Sequence, residues 1–163
     1  MIKIGLISDT HAFLDEGVLN FLAPVNEIWH AGDIGNLHVL QRLEQEKPIR
    51  AVFGNIDDHQ VRAACPEIQK FELEGVRVLM THIGGYPGKY ERSIYHVLRS
   101  YQPKLFISGH SHILKVIPDK KLNLLHINPG AAGNSGFHQV RTATRFVLEE
   151  GTIRDLEIWE TPR

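Results

Sequence analysis

Apolar residues in this chain fall into short runs separated by polar segments, and two periods recur among them. Strand-like runs at Ile4 to Ile7, Ile28-Trp29, Ala51-Val52-Phe53, Val78-Leu79-Met80 and Leu105-Phe106-Ile107 are interleaved with stretches of helical spacing. Those stretches are Leu14 to Leu22, Leu37 to Glu46 and Tyr90 to Tyr101, where Ile94, Val97, Leu98 and Tyr101 share one face. Pro48 stops the second and Pro103 the third. Beyond Tyr101 the pattern changes to short strands, Ile113 to Ile117, Leu122 to Ile127, Ala143 to Leu148 and Ile153 to Ile158, separated by turn-forming residues. The first half therefore reads as parallel strands with crossover helices and the second as largely antiparallel. That combination predicts an α/β chain with two facing sheets and helices outside them, in preference to one Rossmann-like sheet. At 163 residues, one domain spanning 1–163 is the expectation.

The five strand-like runs of the first half share a second property, because each ends on residues able to hold a metal ion. In order they close on Asp9-Thr10-His11, Gly32-Asp33, Gly54-Asn55, Thr81-His82 and Gly109-His110-Ser111-His112. Taken singly these have ordinary readings. Asp9 could cap a helix, and Gly-Asp or Gly-Asn is a common turn dipeptide. Taken together they repeat one arrangement at successive strand ends, which is where open α/β sheets gather ligands. A mixed set of carboxylates, an amide and imidazoles suits divalent first-row transition metals better than calcium, which prefers oxygen. Two such ions would bring more positive charge than Asp9 and Asp33 neutralise. The resulting cationic site, with positions open for water, favours an anionic substrate such as a phosphate ester.

Composition narrows the alternatives. Eighteen basic residues against nineteen acidic ones leave no surplus for sequence-independent nucleic-acid binding. Cys65 is the only cysteine, so an intramolecular disulfide framework is excluded. The first residues lack a signal-peptide pattern, and no apolar run approaches the length of a bilayer span, so a cytoplasmic protein without a membrane partner is expected. Ten histidines are more than a core of this size calls for. His30, His38, His96 and His126 lie within strand or helix patterns and are read as packing or surface residues. His59 and His138 fall on expected loops within reach of a pocket.

The ordered series resembles the calcineurin-like metallophosphoesterase superfamily, whose motifs run D-x-H, G-D, G-N-H-[DE], H and G-H-x-H, and its compact YfcE-type phosphodiesterases in particular. The resemblance extends from Asp9 to the Asn128-Pro129-Gly130 turn. It implies a four-layer αββα sandwich of two mixed sheets. It also implies two divalent metal ions, Mn²⁺ first, with Ni²⁺, Co²⁺, Fe²⁺ or Zn²⁺ as substitutes. Asp9, His11, Asp33 and His112 would hold one ion, and Asp33, Asn55, His82 and His110 the other. The implied activity is hydrolysis of a small phosphodiester by in-line attack of a metal-bridging hydroxide, with Asp33 and Asn55 central to catalysis. Asp57 would orient Asn55 or a metal-bound water, and Arg141, His59 and His138 are candidates for substrate contact. Ile56 stands where the wider superfamily has the histidine that assists the leaving group, so the general acid is not identified. Alternatives are a phosphomonoesterase or a non-catalytic protein-binding scaffold of the retromer-subunit type, a branch that has lost metal ligands which this sequence retains. The oligomeric state stays open, a homo-oligomer included.

Overall fold

The computed structural model describes all 163 residues. Strand β1 (Ile2–Ile7) leads through a loop to α1 (Glu16–Leu22), β2 (Glu27–His30), α2 (Leu37–Glu46), β3 (Ile49–Ala51) and α3 (His59–Ala64). Then come β4 (Ile68–Leu73), β5 (Val76–Thr81), a hairpin of β6 (Gly85–Tyr86) and β7 (Lys89–Tyr90), and α4 (Arg92–Tyr101). The chain closes with β8 (Leu105–Ile107), β9 (Leu114–Asp119), β10 (Leu124–Pro129), β11 (Val140–Glu149) and β12 (Thr152–Pro162).

Local chemistry sets the helix bounds. Asp15, Asn36 and Asp58 each accept a hydrogen bond from a backbone N–H three residues on, satisfying a donor that the helix itself leaves free. Asp15 as cap is why α1 starts at Glu16 and not at Leu14. At the other end α4 stops on Gln102, which adopts a left-handed conformation directly before Pro103. Three elements lie outside the sequence reading: β4, the β6–β7 hairpin and the short α3. The last of these corrects the expectation for His59, which opens a helix and does not sit on a loop.

One sheet has strand order β12-β11-β1-β2-β3 and the other β4-β5-β8-β10-β9. Strands β1, β2 and β3 run parallel, as do β5, β8 and β10, while β4, β9, β11 and β12 join antiparallel. The antiparallel reading of the second half therefore holds for β9, β11 and β12 but not for the pairing of β8 with β10.

Side-chain alternation along the strands divides the core into three apolar layers. Ile4, Leu6, Trp29, Val78, Met80, Leu105 and Ile107 fill the space between the sheets. Ile7 and Ile28 face Val18, Leu22, Leu40, Leu43 and Val61 of the helices outside the first sheet. Leu79 and Phe106 face Ile94 and Leu98 of α4 outside the second. Helix, sheet, sheet, helix is the αββα sandwich expected from the sequence.

Because each sheet contains three parallel strands, the loops after β1, β2, β3, β5 and β8 all leave from carboxyl strand ends. Backbone hydrogen bonds join these loops. Asp9 N donates to Gly32 O at 2.9 Å, His11 N to Asp33 O at 3.0 Å, Gly109 N to His82 O at 2.9 Å and Gly133 N to Asp9 O at 3.1 Å.

Candidate metal centre

Five side chains of the strand-end series stand on backbone that L-residues seldom adopt. Asp9, His11, Asp33, His110 and His112 have φ of 54°, 46°, 55°, 75° and 62°. Asp and His enter this left-handed region more readily than most residues, at a cost of order 1 kcal/mol or more apiece. The loop-to-loop hydrogen bonds hold them there. The benefit is direction: each side chain turns off its strand end toward a common centre. Two glycines make room for this. A Cβ on Gly54 would lie 2.1 Å from Asp33 Oδ1, and one on Gly32, itself at φ 99°, would lie 2.7 Å from His82 Nδ1.

The converging atoms form two groups, Asp9 with His11 and His112, and Asp33 with His82 and His110, the donor atoms of each within 4.8 Å of one another. Asp33 faces both. Its Oδ2 is 3.4 Å from His11 Nε2 and its Oδ1 is 3.2 Å from His82 Nε2. Asp9 Oδ1 lies 3.2 Å from His112 Nε2 and 3.8 Å from both His11 Nε2 and His82 Nε2.

The hydrogen-bond pattern leaves the inward atoms without partners. Asp9 Oδ2 accepts from Ser8 Oγ at 2.6 Å and from His110 N at 3.1 Å, while Oδ1 accepts nothing. His82 Nδ1 donates to the Ala31 carbonyl at 2.8 Å, so Nε2 is the ring nitrogen left without a hydrogen-bond partner. His138 Nε2 donates to Gly133 O at 2.8 Å, so its Nδ1 accepts from His112 Nδ1 at 3.1 Å, and His112 Nε2 is likewise left as an acceptor. Buried polar atoms that lack a partner are costly. Asp9 Oδ1, His11 Nε2 and His82 Nε2, all buried and unpartnered, are the atoms a divalent cation would satisfy. The residues therefore fit two divalent metal ions, and the outer contacts to His82 and His112 orient the rings as ligation needs.

Electrostatics agree with the geometry. Burial pushes the Asp9 and Asp33 carboxyls upward, but the surrounding imidazoles outweigh it and hold both well below the usual carboxylate range. Contact with Asp33, then with Asp9, raises His11 to about 9. His30, wholly buried, moves the other way, down to about 4. Its Nδ1 accepts from Gly32 N, and its Nε2 is paired with Thr10 Oγ1, which itself donates to Ile34 O. His30 thus braces the Gly32-Asp33 turn as a neutral ring.

The remaining sequence candidates separate. Asn55 is exposed and shares a cleft of about 470 Å³ with His82, Phe53 and Arg62. Asp57 is buried and works on backbone: its Oδ2 accepts from Ile34 N at 3.1 Å and Gly54 N at 2.8 Å, and its Oδ1 from Gly35 N at 2.8 Å. That clamp ties the Asp33 loop to the loop that carries Asn55. Arg141 is also turned away from the centre. Its Nε donates to Ala132 O, its Nη1 pairs with Asp15 at 2.8 Å, and its guanidinium lies over the Phe13 and Trp159 rings. His59 is exposed at the start of α3 and belongs to neither group. His138 reaches the centre only through His112. Sequence reasoning missed Ser8 and Asn128 as supports, since Ser and Asn beside a strand end look like ordinary turn residues, while His30, read as a packed strand residue, also braces the site. Asn128 Nδ2 holds Gly109 O at 3.0 Å and Ser111 Oγ at 3.1 Å.

Comparison with known proteins places this geometry in context. Residues 2–151 match the calcineurin-like phosphoesterase superfamily domain. A probable metallophosphoesterase of Methanothermobacter thermautotrophicus is 32% identical over 135 residues, covering 78% of this chain and 76% of its own. Among solved structures, one described as a novel archaeal phosphodiesterase superposes with a TM-score of 0.77 at 21% identity, covering 97% of this chain and 100% of that one. Wild-type Vps29 from Entamoeba histolytica, complexed with Zn²⁺, superposes with a TM-score of 0.73 at 14% identity, covering 99% of both chains. The two superpositions show a shared fold.

Proposed function

The chain belongs to the calcineurin-like phosphoesterase superfamily, and from that premise we propose that it is a phosphodiesterase working with two divalent metal ions, Mn²⁺ foremost. The observation that carries this reading is the pair of Asp33 oxygens, one facing His11 and the other His82, in a site where three buried donor atoms have no partner in the chain. Bound there, the ions would supply a Lewis acid for the phosphoryl oxygens and lower the pKa of water toward about 7. Asp9, His11, Asp33 and His112 would hold one, and Asp33, Asn55, His82 and His110 the other. Asn55 contributes a neutral oxygen, which leaves the centre short of negative charge and therefore attractive to an anionic ester.

The chain's own residues orient and exclude. Ser8, Ala31 and His138 fix the ligand side chains, and Asp57 fixes the two loops between which the substrate phosphorus would sit. Ile56 and Ile83 are partly exposed side chains on the loops that carry Asn55 and His82, and neither can move a proton. No side-chain acid is identified that would protonate the leaving oxygen. This favours esters whose leaving group departs as a stable anion. The two groups of candidate ligands support catalysis over the scaffold reading that the likeness to Vps29 raises.

The test is turnover of an aryl phosphodiester and its matched monoester after chelation and metal add-back. Mn²⁺ should restore diester hydrolysis, Mg²⁺ should restore little because imidazole-rich shells suit transition metals, and the monoester should be the poorer substrate. Absence of diester turnover with every first-row ion would remove the enzyme reading and leave the scaffold.

A further inference from the structure

His110 has two neighbours of different character. One is the group it forms with Asp33 and His82; the other is a separate cleft of about 220 Å³ between the β6–β7 hairpin and the outer face of the second sheet. Lys89, Lys115 and Ser111 line this cleft together with Tyr86 and Asn128, and Glu91 is its one acid. Register explains why these residues meet: Lys115 on β9 pairs with Asn128 on β10, so both side chains project from the same sheet face at the end nearest His110.

Three donors in this cleft have no acceptor in the chain. Neither Lys89 nor Lys115 takes part in any ion pair of the protein. The Lys115 ammonium lies 3.3 Å from the centre of the Tyr86 ring, a contact that holds the cation in place without neutralising it. Ser111 Oγ accepts from Asn128 Nδ2 at 3.1 Å and from Ile113 N at 3.2 Å, so both of its lone pairs are engaged and its O–H remains to donate outward. Two unpaired ammonium groups and an oriented hydroxyl beside a metal-ligand histidine are complementary to a tetrahedral oxyanion, for which lysine serves as a point charge.

We propose that this cleft is a second anion subsite, which takes a further phosphate group carried by one esterified arm of the substrate while the scissile phosphate sits at the metal centre. The inference rests on the phosphodiesterase reading and narrows it. The preferred substrates are diesters in which one alcohol component is itself phosphorylated, as in nucleotide-like molecules.

The experiment uses the Mn²⁺-loaded protein and two matched esters, the p-nitrophenyl ester of thymidine 5′-phosphate and the same ester with an added 3′-phosphate. The kcat/KM ratio, phosphorylated over plain, should be about ten in the native protein at low ionic strength and decline with salt. It should approach one in the Lys89→Ala/Lys115→Ala protein and be largely kept by Lys115→Arg. Calorimetric binding of thymidine 3′,5′-bisphosphate against thymidine 5′-phosphate provides the second readout, with the same ratio and the same dependence on the lysines. Equal kcat/KM for the two esters in the native protein, or a preference that survives the double substitution, overturns the subsite and leaves the diesterase reading standing. Tighter lysine-dependent binding of the bisphosphate with no turnover of either ester supports the subsite and overturns the diesterase reading.

Discussion

Replacing Asp57 separates scaffolding from chemistry at this centre. Its buried carboxylate accepts three backbone N–H groups, two at Oδ2 and one at Oδ1, and thereby joins the loop of Asp33 to that of Asn55. Asn at this position can keep the two bonds at one oxygen but turns an amide donor toward Gly35 N, so one charge-assisted bond is lost, worth about 1.5–3 kcal/mol. Ala removes all three acceptors and leaves the Ile34 and Gly54 amides buried without partners, which costs about 4–6 kcal/mol. With a urea slope of about 2 kcal/mol/M, the midpoint should fall by about 1 M for Asp57→Asn and by about 2–3 M for Asp57→Ala. Tryptophan fluorescence in urea with chelator present measures this, since Trp29 is buried between the sheets and reports global unfolding. Turnover of Asp57→Asn at saturating metal should stay within about tenfold of native, because the carboxylate reaches backbone and no reacting atom. A native urea midpoint combined with a hundredfold or greater loss of kcat at full metal occupancy would refute the argument and assign the carboxylate to the reaction.

Other outcomes follow from the same geometry. Asp33→Asn keeps one acceptor for Ile56 N but faces a histidine with a donor, so the folded protein should lose at least one ion by metal analysis and nearly all turnover; two tightly held ions with a normal rate would show that Asp33 does not bridge. With Ile56 on the rim and both His138 nitrogens engaged, hydrolysis should depend steeply on leaving-group pKa, since general acid catalysis contributes about 10²–10⁴-fold where it exists. Ile56→His should flatten that dependence, and a flat profile in the native protein would mean another residue supplies the proton. His11, raised to about 9, carries a proton at pH 7 in the ion-free protein, and metal can bind only the neutral ring. Affinity should therefore rise from pH 7 toward 9, with proton release at pH 7 seen as a buffer-dependent calorimetric heat that fades above 9; a heat independent of buffer would contradict it.

Much of this protein is legible in one dimension, and the reason is periodicity. The continuous apolar runs of β1, β5 and β8 and the helical spacing in α2 and α4 are local properties, so the burial of Leu6, Met80, Ile107, Leu40 and Leu98 can be read from neighbours in the chain. The recurrence of metal-binding residue types at strand ends is also local, and parallel strands oblige those ends to meet. By contrast the alternation in β4 is confined to Lys70, Phe71, Glu72 and Leu73, too short a stretch to fix a strand until β5 pairs with it.

What a polar side chain touches was decided only by the tertiary structure. Asp57, Arg141 and His138 are residue types fit for catalysis, and the sequence by itself determined no more than that about them. Folding directs Asp57 to three amides and Arg141 to Ala132 and Asp15, and it places His138 behind His112. It also turns five candidate ligand residues into left-handed backbone that local preference alone does not select, and sets Lys115 against Tyr86 across the gap between a strand and a hairpin. The physical reason is that hydrogen-bond partners are chosen by proximity after the sheets pack. A chain records its donors and acceptors in order, but which of them meet depends on contacts between residues that sequence separates by tens of positions.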